Sequence, residues 1–549
     1  MTKRIKITLS VVSIVAVGLL GLAGTTTNYF EIAKNIEIYA NVYKELNTYY
    51  VDDLDPAKLM KIGIDAMTES CDPFTNYISE ADIETYRISS TGKYGGVGFR
   101  TENHNGGEVV IIETYNGSPA EKANLKTGDV LVKVDGKPVK GKNDEQLSDI
   151  LQGSPGSKVS MTIRRAGTSK EETLDITREE VKIPNVPYSG MLNENIGYVT
   201  LTTFTEDAGE NVAKAVRDLK AKNNLKGLVF DLRYNGGGLL TEAVNVVNVF
   251  EPKNIDVVSM RSKVKDWDKN FKTMNAAIDA DLPIVVLVNH GSASASEIVS
   301  GALQDLDRAV IMGEKSYGKG LVQNTKPVGY GAQLKLTTAK YYIPSGRCIQ
   351  SVMYKKGEAV DIPDSLKNAF KTKNGRTVFD GGGIAPDVKV ESIKDGAFLL
   401  ALEKQHQIFD FATEFRLKNE KIAGDAKTFR MTDADYQNFI GFLTKRNFKY
   451  ETETEKLLKE LDAKAKSEKL EAVLQTEISA LRSKIVTEKQ NDLVKYKADL
   501  MKILQKEIVS RYYAQNGKIE HSLATDKEIT EAISLLNDAT RYKKILGIK

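Results

Sequence analysis

The chain has 549 residues, of which 41% are hydrophobic and 28% are charged, a composition typical of a large folded protein with several domains. Its 77 basic and 74 acidic residues leave a formal net charge of +3 at pH 7, so we do not expect nucleic acid as its principal partner. The two cysteines exclude a disulfide-rich scaffold. The four histidines are scattered without the spacing of metal ligands, so the sequence predicts no metal site and no cofactor.

The N-terminus carries a basic cluster ahead of an uncharged segment. Lys3, Arg4 and Lys6 precede the stretch 7–30, which is mostly apolar in its first two thirds. Basic residues followed by ~15–20 apolar residues are typical of a secretory signal or of a single membrane anchor. Residues 1–30 are therefore predicted to direct export, and a retained anchor is favoured over a cleaved signal. The protein would then be periplasmic or attached to the outer face of the cytoplasmic membrane.

A glycine-rich segment, Tyr-Gly-Gly-Val-Gly-Phe at 94–99, is followed by the β-branched run 108–112. Two further turn-and-strand blocks follow at 117–123 and 128–136. This ordered set resembles a PDZ domain covering about residues 91–180. PDZ domains capture a terminal carboxylate with loop N–H groups while the peptide adds as a strand to the sheet edge. The loop residues that the resemblance assigns to peptide binding are Gly96, Val97, Gly98 and Phe99.

The segment 227–233 is an apolar strand pattern that runs through Asn235 into three glycines at 236–238. Glycines directly after a strand allow backbone N–H groups to approach a ligand closely. A nucleotide-binding loop would need a Lys-Ser/Thr pair or the Rossmann glycine spacing, and neither follows. Phosphate binding is therefore not expected here.

The segment Ile284–Val288 is a short, unbroken β-branched run, which predicts a buried strand. After an Asn-His-Gly turn, apolar residues recur at helical spacing from Ala295. Three serines between 292 and 296 thus lie at the start of a helix, where unpaired N–H groups and the helix dipole favour a developing oxyanion. Ser294 and Glu297 also have the spacing of a capping box. On this segment alone, a helix cap and a nucleophile both remain open.

Four blocks in this half of the chain resemble, in the same order, the carboxyl-terminal processing proteases, also called tail-specific proteases, which use a serine–lysine pair. The blocks span residues 294–305, 313–323, 339–347 and 383–387. Carried over position by position, the resemblance assigns the nucleophile to Ser294, the general base to Lys319 and the lysine-orienting glutamine to Gln323.

The resemblance also implies an oxyanion hole made of backbone N–H groups. One donor would be Ala295, the residue after the nucleophile. The other would be Gly236 or Gly237 in the Asp-Leu-Arg-x-Asn-x-Gly-Gly block. This chain has Gly236 where many relatives have proline, so the choice between the two glycines stays open.

The chemistry of a lysine base agrees with the sequence around Lys319. A free lysine titrates near ~10.4 and is almost fully protonated at pH 7, so it must be desolvated, which lowers its pKa by up to ~3–5 units. Lys319 lies between two glycines and ahead of apolar residues, which is compatible with burial. Four residues of ideal strand span ~13 Å, so Gln323 would reach Lys319 only if the chain bends between them.

Two other side chains compete with Lys319 for the role of base. His290 precedes Ser294 by four residues, and Ser–His pairs are common in hydrolases. A strand-end histidine and a helix-start serine usually point apart, so we interpret His290 as a turn residue. Asp305 follows the serine by about three helical turns, or ~16 Å along the axis, and we interpret it as a structural residue.

The predicted fold class is an α/β (α+β) multidomain protein, with an αβ protease core, an inserted PDZ domain and a C-terminal helical domain. The predicted segments are the signal or anchor at 1–30, a helical region at 31–90, the PDZ domain at 91–180, the protease core at 181–393 and helices at 394–549. We interpret the last segment as a bundle packed on the core. A dimerisation or partner-binding arm, which would make the protein a homo-oligomer, is the alternative.

The predicted function is a serine endopeptidase that cleaves exported proteins at or near their C-termini, with the PDZ domain binding the tails of those protein substrates. The alternative is a catalytically idle PDZ adaptor that tethers exported proteins at the membrane. The set of Ser294, Lys319 and Gln323 favours the protease, because an adaptor does not need a lysine between two glycines.

Overall fold

The computed structural model describes residues 29–104, 106–222, 224–355, 358–390 and 396–548. The predicted export segment, 1–30, lies outside these ranges except for its last two residues. No helix within the described ranges is long and apolar enough to cross a membrane. The chain divides into two compact units. Of the described residues, one unit contains those of 29–81, 323–337 and 354–359, and the other contains those of 82–322, 338–353 and 360–548.

Helices and strands occur along the whole length of the described residues. The helices are 29–49, Pro56–Glu69, Ile83–Thr91, Pro119–Lys122, Asp144–Leu151, Ala208–Lys222, Leu240–Phe250, Ala295–Asp305, Ala397–Lys404, Gln407–Lys418, Asp433–Lys445, Glu453–Ser467, Glu471–Gln490, Asp492–Lys495, Lys497–Leu523, Lys527–Asn537 and Ala539–Ile545, with 3-10 turns at Lys265–Trp267 and Asp364–Leu366. The strands are Asn76–Ile78, Lys93–Gly96, Phe99–His104, Glu108–Thr114, Val130–Val134, Lys137–Pro138, Lys158–Arg164, Glu171–Thr177, Glu179–Lys182, Tyr188–Met191, Ile196–Thr200, Gly227–Asp231, Asp256–Ser262, Lys269–Lys272, Ile284–Val288, Val310–Gly313, Leu321–Gly329, Ala332–Tyr342, Val352–Lys355, Glu358–Asp361, Ala369–Lys371, Thr377–Phe379 and Val388–Lys389.

The smaller unit is built from the N-terminal helices and part of a long hairpin. The strand Asn76–Ile78 pairs antiparallel with residues 333–335, so the segment 31–90 contains a strand as well as helices. A pocket of about 1120 Å³ with mainly apolar lining lies between the helix Pro56–Glu69 and residues 328–336.

A six-stranded antiparallel sheet forms the PDZ-like part of the larger unit. Its main path runs Phe99–His104, Glu108–Thr114, Val130–Val134, Lys158–Arg164 and Glu171–Thr177. Along Lys158–Arg164 every second side chain is buried, as expected for a strand with one face on the core. The strand Phe99–His104 lies at an edge of the sheet.

The protease core is a six-stranded sheet in the order Tyr188–Met191, Ile196–Thr200, Gly227–Asp231, Ile284–Val288, Val310–Gly313 and Val388–Lys389. All neighbours in it are parallel except the first pair. Parallel sheets need cover on both faces, and alternate residues of Ile284–Val288 enter two separate hydrophobic clusters. Residues of the helices Ala208–Lys222, Leu240–Phe250 and Ala295–Asp305 complete one cluster.

The other face of this sheet is covered by the end of the chain. Ile529, Ala532 and Leu535 of the helix Lys527–Asn537 join the second cluster. The remaining C-terminal helices have their own aromatic-rich core. The predicted fold class is therefore confirmed, including the packing of C-terminal helices on the core.

Candidate active site

Ser294 lies at the junction between the strand Ile284–Val288 and the helix Ala295–Asp305, as the sequence predicts. Its backbone has φ 57° and ψ −113°. Residues other than glycine adopt such a conformation at a cost of ~1–3 kcal/mol, and strain of this kind is concentrated at functional sites. The turn thus has the backbone geometry expected of a nucleophile.

The serines on either side of Ser294 have structural roles. Ser292 and Ser296 are completely buried. The Ser292 Oγ donates to the carbonyl of Leu232, and the Ser296 Oγ donates to the carbonyl of Asn235, each at 2.8 Å. Ser294 is part-exposed, so it is the serine of this turn that a substrate can reach.

The glycine block after the strand Gly227–Asp231 packs against this turn. Gly237 has φ 103°, and a Cβ on it would lie 2.8 Å from the Ser294 Cβ and 3.0 Å from the Ala295 N. A Cβ on Gly236 would meet nothing within 4 Å. Gly237 is therefore the glycine that contacts the serine turn, and no side chain fits there.

Asn235 holds the glycine block and the serine turn together. It is completely buried, and its carbonyl accepts from the Ala293 N–H at 3.0 Å as well as from the Ser296 hydroxyl. Its Oδ1 accepts from the Gly237 N–H at 2.9 Å. The position of Gly237 beside Ser294 is thus determined by a buried hydrogen-bond network.

The Glu297 carboxylate connects the serine turn to the loop that carries Lys319. Its Oε2 accepts from the backbone N–H groups of Ser294 and Lys319, each at 2.8 Å. Its Oε1 accepts from the Ser316 hydroxyl at 2.5 Å and from the Gly318 N–H at 2.6 Å. Glu297 does cap the helix through the N–H of Ser294, but it holds the lysine loop as well.

Burial and hydrogen bonding act on Glu297 in opposite directions. The side chain is completely buried, and this desolvation raises the pKa of Glu297 to about 7, while the four donors favour the carboxylate and oppose the rise. Near neutral pH, the network around the two predicted catalytic residues therefore contains a titrating group.

Tyr341 makes a second connection between the same two residues. Its hydroxyl contacts the carbonyl of Lys319 and lies 3.1 Å from the carbonyl of Ser294. Burial raises the pKa of Tyr341 well above its usual value, so the hydroxyl keeps its proton and remains a donor. Glu297 thus binds the N–H groups, and Tyr341 the carbonyl groups, of both Ser294 and Lys319.

Lys319 itself is part-buried and lies on a loop between the strands Val310–Gly313 and Leu321–Gly329. Gln323 belongs to the other compact unit, where its Nε2 donates to the Thr337 Oγ1 at 3.1 Å. The role of Gln323 as the residue that orients the lysine stays a prediction.

The two competing residues have other partners. The His290 side chain is 70% exposed, and its Nδ1 lies 3.3 Å from the Glu314 Oε2. Asp305 is completely buried and forms an ion pair with the equally buried Arg347 at 2.8 Å. These contacts agree with a turn residue and a structural residue.

The predicted peptide-binding loop has a fixed shape. The carbonyl of Gly98 accepts from the Tyr115 N–H at 2.9 Å and from the Ser118 hydroxyl at 3.0 Å. The carbonyl of Val97 accepts from the Ala120 N–H at 2.8 Å. Gly98 has φ 87°, and a Cβ on it would lie 2.3 Å from the Ser118 Cβ. The loop therefore requires glycine at this position.

The structure brings together three side chains with potential metal-ligand atoms, although the expectation of no metal site stays a prediction. Glu102, His104 and His406 each place one potential ligand atom within 4.8 Å of the others. Sequence spacing could not reveal this cluster, because His104 belongs to the PDZ-like sheet and His406 to the C-terminal helices.

Sequence reasoning also missed the roles of Asn235 and Tyr341, and it interpreted Glu297 only as a cap. Asn235 and Tyr341 both lie inside blocks that carry the family resemblance, and this position was the only indication in the sequence that they belong to the site. Nothing in those blocks distinguishes Tyr341 from the neighbouring Tyr342, since only the folded chain shows which of them is buried.

Family models match three parts of the chain. The model described as peptidase family S41 matches residues 195–364, a PDZ domain model matches 110–165, and a model described as the C-terminal helical domain of a probable PDZ-protease matches 398–536. Along the chain the matches come in the order PDZ domain, protease and helical domain, which is the order of the PDZ-like sheet, the protease sheet and the C-terminal helices in the structure.

Curated relatives carry names that agree with these models. A carboxy-terminal-processing protease of Bartonella bacilliformis is 36% identical over 331 residues, which cover 60% of this chain and 75% of the relative. A probable CtpA-like serine protease of Staphylococcus aureus is 34% identical over 392 residues, covering 70% and 76%. Among solved structures, a photosystem II D1 C-terminal processing protease is 29% identical, with 64% of this chain and 92% of that chain covered and a TM-score of 0.35. The chain belongs to the carboxy-terminal-processing proteases of peptidase family S41.

Proposed function

We propose that this protease is a serine endopeptidase that uses Ser294 as nucleophile and Lys319 as general base. The observation that carries the proposal is the double connection between these residues, in which Glu297 binds both N–H groups and Tyr341 contacts both carbonyl groups. Ser294 and Lys319 lie 25 residues apart in the sequence, and these shared contacts hold their backbones at a fixed separation. Catalysis by a nucleophile and its base depends on such positioning.

The proposed reaction follows the general course of acyl transfer. The neutral amine of Lys319 takes the proton of the Ser294 hydroxyl while the Oγ attacks the carbonyl carbon of the scissile peptide bond. The same proton is then delivered to the leaving amine, and the peptide is held as an ester on Ser294. Water, deprotonated by the lysine, hydrolyses that ester and releases the second product.

The oxyanion of the tetrahedral intermediate would be bound by the N–H groups of Ala295 and Gly237. The Gly237 N–H would exchange its hydrogen bond to the Asn235 Oδ1 for one to the oxyanion. Ala295 is the first residue of its helix, and first-turn N–H groups have no partner inside a helix and lie at the positive end of its dipole. Gly237 packs directly on this residue. Donors aimed at the developing charge contribute typically ~3–4 kcal/mol each to the rate.

The proposed substrates are proteins with exposed C-terminal tails. The tail carboxylate would be bound by the backbone of the loop 96–99, and the tail would add as a strand to the sheet edge formed by Phe99–His104. The basic cluster and apolar stretch at the N-terminus support export, so we propose that enzyme and substrates meet outside the cytoplasm.

The test uses the purified full chain and a model protein that ends in an apolar tail with a free carboxylate. We expect degradation of this substrate and much slower degradation of its C-terminally amidated twin. The Ser294→Ala and Lys319→Arg variants should be inactive on both, since guanidinium does not give up its proton. Tail binding without cleavage by the wild-type chain would instead identify the idle adaptor.

A second arm tests the PDZ loop separately from the chemistry. Gly98→Val should abolish turnover of the tailed protein because a side chain there collides with Ser118. Unchanged cleavage of a short generic peptide by this variant would show that the loop recruits substrates. Equal turnover of the tailed protein by variant and wild type would remove the loop from the proposal.

A further inference from the structure

The C-terminal helix Lys527–Asn537 begins at the edge of the protease sheet that carries the proposed site. In its first turn, Glu528 contacts Arg233, which follows one parallel strand, and approaches Gly313, which ends another. In open α/β sheets, ligands bind outside the carboxyl ends of the strands, and Ser294 also follows such an end. The C-terminal helical domain therefore reaches the same edge as the proposed nucleophile.

The guanidinium of Arg233 binds three carboxylates. Its Nε and Nη2 donate to the two oxygens of Asp231, at 3.0 and 2.6 Å. Its Nη1 donates to the Asp526 Oδ2 at 2.8 Å and to the Glu528 Oε2. The four side chains are between 7% and 20% exposed, so solvent ions screen these contacts little. A planar guanidinium with carboxylates on both sides is held in one orientation.

The two carboxylates that come from the C-terminal domain are themselves fixed. The Asp526 Oδ1 accepts from the N–H groups of Glu528 and Ile529, at 2.8 and 3.3 Å, and so caps the helix. Glu528 lies so close to Gly313 that a Cβ on this glycine would be 2.9 Å from the Glu528 Oε1. The helix thus presents both carboxylates to the protease core in a defined geometry.

The turn after Arg233 carries the glycine of the proposed oxyanion hole. Tyr234 has φ 59°, a conformation that residues other than glycine keep only where the surrounding contacts impose it. One such contact is the hydrogen bond from its N–H to the Asn289 Oδ1 at 2.9 Å. Arg233 anchors the turn on its other side, four residues before Gly237. A displaced Arg233 would therefore displace the Gly237 N–H.

We propose that Asp526 and Glu528 are positioning residues of the protease, which act through Arg233. By holding this guanidinium, they fix the turn that places the Gly237 N–H beside Ser294. The C-terminal helical domain is then a required part of the active site, in addition to its role as cover for the sheet. The inference rests on the proposed roles of the nucleophile and of the oxyanion donors.

The test uses the purified full chain with Asp526→Asn, Glu528→Gln and both changes together. Asparagine keeps the helix cap and glutamine keeps the shape of the side chain, so the fold should be retained while both charges are lost. We expect the double variant to cleave a short generic peptide with a turnover number lowered by about ten- to a hundredfold, at a nearly unchanged Michaelis constant. A shift of about 1 Å at the reacting groups has an effect of this size.

A peptide aldehyde gives a second measure of the oxyanion hole, because its adduct with serine is tetrahedral and resembles the transition state. Its affinity should fall in parallel with the turnover number, whereas binding of a tail peptide to the PDZ loop should not change. Glu531→Gln is the matched control, since this carboxylate of the same helix pairs with Arg541 at 2.7 Å. It should leave the turnover number and the aldehyde affinity unchanged.

A lower melting temperature of the double variant, with the turnover number and aldehyde affinity of the wild type, would overturn the inference and leave the carboxylates a structural role. If the double variant does not fold, the two single variants decide by the same readouts, each with a smaller expected loss of turnover. Wild-type turnover in Ser294→Ala would instead refute the proposed nucleophile, which the carboxylate variants do not test.

Discussion

The backbone N–H groups of Ser294 and Lys319 donate to a single oxygen atom, the Oε2 of Glu297. Their carbonyl oxygens both face the hydroxyl of Tyr341. The separation of the proposed nucleophile and base is therefore set by backbone contacts to two buried side chains. Such a site is organised before substrate arrives, which is the condition for efficient catalysis.

Ser294→Ala should reduce proteolysis by about a thousandfold or more, since no other group replaces the attacking hydroxyl. The fold and the binding of tail peptides should be retained. The matched control is Ser300→Ala on the same helix, where the hydroxyl donates to the carbonyl of Ser296 at 2.8 Å. The two variants are compared by their rates of cleavage of a protein substrate with an exposed C-terminal tail. Substantial turnover by Ser294→Ala would direct attention to another serine of the turn.

The glycine block offers a direct way to identify the second oxyanion donor. Gly236 does not have a positive φ, and a Cβ on it would meet nothing within 4 Å, so Gly236→Pro removes its N–H without a collision at Cβ. We expect this variant to remain active, because Gly237 is the glycine in contact with the serine turn. Gly237→Ala keeps the N–H but displaces it, because the added Cβ would lie 2.8 Å from the Ser294 Cβ. The turnover number should then fall by about 10²–10³, as when one oxyanion donor is lost. Loss of activity in Gly236→Pro, with its melting temperature unchanged, would transfer the role to Gly236.

The sequence predicted the parts of the site that depend on neighbouring residues, and it did not predict the contacts between segments that are distant in the sequence. The strand Ile284–Val288 and the helix after Ser294 are encoded in local apolar spacing, and both were predicted. The roles of Glu297 and Tyr341 depend on which distant loop meets the serine turn, which no local pattern specifies. His104 and His406 become neighbours only when two domains dock, so the spacing of the histidines along the chain does not indicate their contact.

The ion pair of Asp305 and Arg347 should be structural. Both side chains are almost completely buried, with 0% and 1% exposure. Asp305→Ala leaves an unpaired buried guanidinium, so it should cost about 3–5 kcal/mol in the free energy of unfolding. Chemical denaturation measures this cost, and the specific activity of the folded fraction at low temperature should remain measurable. A stable but inactive Asp305→Ala protein would assign Asp305 to catalysis.

Tyr341→Phe should lower the turnover number by about ten- to a hundredfold while leaving the Michaelis constant nearly unchanged. The variant removes only the hydroxyl that contacts the carbonyl groups of Ser294 and Lys319, so these residues lose a common tether. Tyr342→Phe is the control, because that ring packs under Arg261 instead. Steady-state kinetics distinguish this outcome from a structural effect, which would lower the melting temperature without changing the turnover number of the folded enzyme.

Glu297→Gln tests the network through both activity and stability. In the wild type each carboxylate oxygen of Glu297 accepts from two donors. Glutamine replaces one of these oxygens by an NH₂ group, which cannot accept, and each donor left without a partner costs about 1–3 kcal/mol. We expect a large loss of activity, since the lysine loop is no longer held. The variant should also be less stable than the wild type at every pH, by an amount that depends on pH.

The sign of that dependence follows from the raised pKa of Glu297. Below its ordinary value of 4.5 the group is protonated in both the folded and the unfolded chain, and between 4.5 and about 7 only the folded chain keeps the proton. The contribution of this protonation to the free energy of unfolding is therefore fully present below pH 4.5. It decreases as the pH rises towards 7, and the total loss is up to about 3 kcal/mol. The glutamine variant lacks this term, so the difference in unfolding free energy between wild type and variant should be smaller at pH 7.5 than at pH 5. Denaturant titrations at the two pH values measure it. A difference that grows with pH would show that the four donors outweigh burial and keep the carboxylate ionised.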